Sequence, residues 1–66
     1  MKPDECFIGQ RVRHRESGAV YTVASNPSPF DALPAVIVKD AKGHASMIYL
    51  SGLDAADKNE EVSPNE

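Results

Sequence analysis

Three arginines at alternate positions, Arg11, Arg13 and Arg15, are the residues whose spacing most directly invites chemistry. A strand projects every second side chain to one face, so their guanidiniums would form a stripe. Such a stripe contacts phosphates or an acidic peptide. It also serves as a solvated face that blunts an edge strand. Glu16 and the acidic C-terminal residues could occupy it from within the chain. Met47 and Tyr49 alternate in the same way, with Ser46 and Ile48 on the other face. If Ile48 is core, Met47 and Tyr49 point outward beside Ile37 and make an apolar patch for self-association or a partner. The plainer alternative packs Tyr49 at the rim of the fold with its hydroxyl in water.

Other chemistries find little support. His14, His44 and Cys6 are the soft metal-ligand candidates, but they fall in different places at no ligand spacing, so no metal site is expected. There is no Ser/His/Asp constellation, no Gly-rich phosphate loop and no pair of catalytic carboxylates. Asp40 is better explained by its turn. The aromatic set is Phe7, Tyr21, Phe30 and Tyr49, without Trp, which is thin for a proline-rich peptide groove. Base stacking could use only Tyr21 or Tyr49 near the arginines.

The chain of 66 residues makes one domain at most. With no Trp, its core must come from Val, Ile, Leu and Ala. A domain this small folds alone only marginally, and self-association is one way to bury more surface. The net charge of −3 is unevenly spread. Residues 54–66 hold five acids and one base, giving −4, whereas residues 1–53 hold six bases and five acids, giving +1. Strong nucleic-acid binding usually needs more positive charge than this. No stretch approaches the roughly 20 apolar residues of a membrane span. The first residues lack a hydrophobic signal region, and Cys6 is the sole cysteine, so the expected location is cytoplasmic.

The elements that must position these residues are short strands. Residues 1–6 read as a flexible arm. Residues 10–14 and 19–25 read as two strands joined by Glu16-Ser17-Gly18, where Gly18 supplies the positive φ of a tight turn. Val20 and Val23 lie three apart, so both face inward only if a bulge or strong coil intervenes. Residues 26–34 hold three prolines and form a loop anchored by Phe30 and Leu33. Residues 35–40 and Ala45–Tyr49 form a hairpin around Asp40-Ala41-Lys42-Gly43. Residues 50–53 read as a one-turn 3₁₀ connection to a last short strand. A marginal helix is possible over residues 54–59, and residues 56–66 read as an acidic disordered tail. The whole is an all-β chain, a five-stranded SH3-like barrel over residues 7–55.

Two segments carry a family resemblance. Gly9-Gln10-Arg11-Val12-Arg13-His14-Arg15-Glu16-Ser17-Gly18-Ala19 is similar to a Gly-x-Arg-Val-Arg-Lys-Lys-Ser-Gly-Ala stretch, with one extra residue in the turn. Ser46-Met47-Ile48-Tyr49, followed by Leu53, is similar to Val-Gln-Ile-Tyr-Pro followed by Ala-Leu. Both stretches are found in the type II, plasmid-encoded dihydrofolate reductases that confer trimethoprim resistance. The likeness covers about residues 7–55. It implies four SH3-like barrels around one pore where NADPH meets dihydrofolate. The family's pore Lys falls on His14 and its Gln on Met47, while its Ile and Tyr are retained as Ile48 and Tyr49. Met47 cannot supply the hydrogen bonds of the amide it replaces.

The reading that follows is a small non-catalytic SH3-like binding module, bacterial and cytosolic, that needs no cofactor. Its binding residues are Met47, Ile48, Tyr49, His14, Arg11, Arg13 and Arg15, and its partner is a protein or a second copy of itself. One alternative is an oligomeric NADPH-dependent reductase with a degenerate pore. Another is a KOW-like nucleic-acid module using Arg11, Arg13, Arg15 and Lys42.

Overall fold

The computed structural model describes residues 2–27 and 32–63. Five strands are present: β1 (Arg11–His14), β2 (Val20–Val23), β3 (Ala35–Lys39), β4 (Ala45–Tyr49) and β5 (Leu53–Ala55). They form one antiparallel open sheet in the order β4-β3-β2-β1-β5. Single 3₁₀ turns occupy Pro3–Glu5 and Leu50–Gly52, the latter just before β5 as the sequence predicts. The marginal helix over residues 54–59 does not form, because β5 extends to Ala55 and a turn follows it. Of the two expected loop anchors, Leu33 is 69% exposed and does not anchor the loop, and Phe30 lies outside the described residues, as do residues 64–66.

Local chemistry sets the two tight turns. Gly18 (φ 76°) and Gly43 (φ 82°) hold the left-handed conformation that a Cβ disfavours. Their amides close back on His14 O at 2.7 Å and Asp40 O at 3.1 Å. The buried Asp40 organises the β3–β4 hairpin. Its Oδ1 accepts from the amides of Lys42 (2.8 Å) and His44 (3.0 Å), an Asx-type bond pattern that favours the turn. Asp40 therefore has the turn-forming role expected for it.

Alternation then builds the core. Val12, Val23, Val36, Val38, Leu50, Leu53 and Cys6 are fully buried in one cluster, with Tyr21 and Ile48 packed at its margin. Val12 lies opposite Tyr21, and Val36 opposite Ile48, so these side chains share the inner face of the sheet. Val20 is also buried, at 7% exposure, but it stands outside this cluster. The inward bulge that would bring Val20 and Val23 to one side is unnecessary. Val20 points to the outer face and is covered there by the C-terminal segment, whose Ser63 bonds to its backbone. Cys6, placed by the sequence in the arm, reaches into the core, and burial pushes its thiol pKa up.

The two faces make contrasting predictions. Leu53→Ala is expected to cost about 2–5 kcal/mol. That is comparable to the whole stability of a domain this small, about 3–5 kcal/mol, so urea titration followed by circular dichroism should find the variant largely unfolded. Met47→Ala, on the outer face, should stay within about 0.5 kcal/mol of the wild type. Equal losses for the two would contradict this assignment of faces.

Candidate functional site

The outer face divides into a charged half and an apolar half. Arg11 and Arg13 lie there on β1, opposite Thr22 and Val20 of β2, and Arg13 also faces Asp54 of β5. Arg15 falls beyond the end of β1, in the turn. On the other half, Ile37 of β3 lies opposite Met47 of β4, and Ala35 opposite Tyr49. Two strands, β2 and β3, separate the arginines from Met47 and Tyr49. His14 and Ile48 have the opposite parity and face inward. The sheet thus gathers Met47 with Tyr49 and Arg11 with Arg13, and does not unite all seven candidate residues in one place.

Each arginine of the stripe has an acceptor within the chain. Arg11 Nη1 donates to Thr22 Oγ1 (2.8 Å), and its Nε donates to the main-chain oxygen of Glu60 (3.3 Å). The Arg13 guanidinium pairs with the Glu60 carboxylate. Arg15 makes a two-point contact with Asp54, Nη2 to Oδ1 at 2.7 Å and Nε to Oδ2 at 3.1 Å. That contact raises the Arg15 pKa and holds the Asp54 carboxyl below its ordinary range. The chain's own acids therefore pair with Arg13 and Arg15, one of the occupancies that the sequence allows, while Arg11 is held by a hydroxyl and a main-chain oxygen.

Glu60 reaches the stripe because residues 56–63 fold back over β1 and β2. The Ala56 amide donates to Arg11 O (3.1 Å). A turn follows in which Glu60 N donates to Asp57 O (3.0 Å) and Asp57 N donates to Glu60 Oε2 (3.1 Å). Ser63 then bonds to Val20 and Ala41. This strap was hidden in the sequence by its polar composition. The one available signal was Val20, an apolar residue on an outward position.

The apolar half has no such cover among the described contacts. Met47 and Tyr49 are 69% and 54% exposed. Their strand is one of the two edges of the described sheet. Asp40 N donates to His44 O and Leu50 N to Pro34 O, so alternation directs residues 44, 46, 48 and 50 towards β3. The amides and carbonyls of Ala45, Met47 and Tyr49 accordingly face the open edge. Ala45–Tyr49 contains neither a charged residue nor a proline, the usual guards of an edge strand.

The histidines serve their turns. The half-buried His14 ring lies against Gly52, and its Nδ1 is 2.9 Å from Ser17 Oγ. Ser17 Oγ also accepts the Ala19 amide (3.2 Å), so this pair, absent from the sequence reading, closes the β1–β2 turn. His44 stands 3.7 Å from Asp40 at the other hairpin. Among the described residues, no group of three His, Cys, Asp or Glu side chains could hold a metal ion. No helix among them is long and apolar enough to cross a membrane. No family model, curated protein or solved structure matches the chain.

The Arg15–Asp54 contact predicts a pH dependence. Because the folded carboxyl has the lower pKa, its stabilisation is fully present above the ordinary carboxylate pKa of about 3.9. It is lost as pH falls through the depressed folded value. Asp54→Asn should therefore be less stable than wild type at neutral pH and equal to it at strongly acidic pH. Urea unfolding across the acid range at low salt is the check, and a gap that widens on acidification would contradict the assignment.

Proposed function

We propose that this chain is a small non-catalytic binding module, an SH3-like barrel in which the five-stranded sheet curls on itself, working in the cytoplasm. It engages a protein partner through β4 and the outer face of the β3–β4 hairpin. The observation that carries this reading is the exposed Met47 and Tyr49 beside Ile37 on an unguarded edge strand. Exposed apolar area of this kind marks an interaction site, and a free edge accepts another strand through main-chain bonds. The arginines support a protein over a nucleic acid, since Glu60 and Asp54 already occupy them.

A second copy of the chain is the simplest partner. Antiparallel pairing of β4 with β4 about Met47 sets Met47 against Met47 and Tyr49 against Ala45, so the largest side chain meets the smallest. No charge within the strand opposes that register. The retained Ile48-Tyr49 pair keeps a dihydrofolate reductase-like reading open, which requires four copies around a shared pore.

Sedimentation across a range of concentrations tests both. A mass that rises with concentration for wild type, and stays monomeric for Met47→Lys, is the expected result. A wild-type monomer throughout, or an oligomer indifferent to Met47→Lys, would defeat the proposal of β4 self-association. A tetramer that consumes NADPH with dihydrofolate would establish the reductase instead.

A further inference from the structure

The ladder between β2 and β3 stops one pair early. Thr22 lies opposite Lys39 and Val23 opposite Val38, and Ala24 N donates to Ile37 O. Hydrogen-bonded pairs recur at every second residue, so Val20 and Ala41 stand where the next pair would form. Ser63 takes that place. Its amide donates to Val20 O (2.8 Å), its Oγ accepts the Val20 amide (3.1 Å), and its carbonyl accepts the Ala41 amide (3.2 Å). Three residues earlier, Glu60 gives its carbonyl to Arg11 and its carboxylate to Arg13. One short peptide is thus held at two points, a slot in the sheet and a pair of guanidiniums.

We propose that the slot between Val20 and Ala41, together with Arg11 and Arg13, is a peptide-acceptor site. In the resting chain its own residues 60–63 fill it, and an acidic peptide of the same Glu-x-x-Ser pattern can replace them in trans. The slot suits a peptide because Val20 O takes a hydrogen-bond donor, which a DNA phosphodiester backbone does not have, and the Val20 and Ala41 amides take acceptors at fixed spacing. Arg11 and Arg13 add the preference for an acid, and reading the carbonyl and carboxylate of one residue fixes the register between the two anchor points. Replacement is feasible because exposed ion pairs are weak. The tether keeps the strap at an effective concentration on the order of millimolar, so the intact chain resists a dilute competitor. The site shares no residue with the β4 edge, so its failure and the failure of that reading are separate results.

The test uses the full chain and a fluorescent peptide spanning residues 57–63, Asp-Lys-Asn-Glu-Glu-Val-Ser. By anisotropy, the variant Glu60→Ala/Ser63→Ala should bind this peptide at least ~10-fold more tightly than wild type, because the tethered competitor is weakened. Adding Arg13→Ala should abolish the gain. In the isotope-labelled wild-type chain, millimolar unlabelled peptide should move the Glu60 and Ser63 amide signals to unstructured positions while the Val12 and Val38 signals hold. The proposal is overturned by an unchanged wild-type spectrum at saturating peptide, by a gain that survives Arg13→Ala, or by binding of an oligothymidylate in place of the peptide.

Discussion

The commitment of one sheet face to a single small core governs the rest of this molecule. Val12, Val23, Val36 and Val38 all point the same way, and Leu50, Leu53 and Cys6 close over them. These strands are three to five residues long, so each contributes only one or two side chains to the interior. A one-residue slip in any of them would move those side chains into water. The same register that fills the core fixes the opposite face without freedom, and places Arg11, Arg13, Val20, Ile37, Met47 and Tyr49 there.

That outer face faces two physical demands. Its charged half must offset closely spaced arginines, and Glu60 does so for Arg13 as Asp54 does for Arg15 beside it. Val20, which shares that half, is buried where the strap returns, and Ser63 there makes the main-chain bonds that a neighbouring strand would otherwise make. The strap therefore belongs to the fold as much as to the surface. It extends the sheet where β2 and the β3–β4 hairpin diverge, and its acidity complements what lies beneath it. Beyond its reach, the β4 edge keeps both its hydrogen-bonding capacity and its apolar side chains exposed. The two surfaces differ in kind, one already answered by the chain itself and the other still open.

Much of this was legible in residue order. The hairpin at Asp40 to Gly43, the turn at Gly18, the one-turn connection before β5 and the outward pairing of Met47 with Tyr49 follow from local conformational preference and alternation. Cys6 and Val20 were harder. Cys6 sits among Asp, Glu and Pro, so no periodic pattern marks it as core. Val20 sits beside Val23 at a spacing that alternation alone can explain only by distortion, and its cover comes from forty-three residues further along.

The sequence by itself determined the strands, their turns and the faces on which the candidate side chains emerge, because period-two alternation and glycine stereochemistry act over a few residues. Only the tertiary structure decided which outward residues stay exposed. Whether Arg13 meets solvent or Glu60, and whether Val20 is bare or covered, depends on where a polar segment returns after the sheet has formed. That return is held by main-chain hydrogen bonds and charge pairing between distant positions, which leave almost no trace in local residue order.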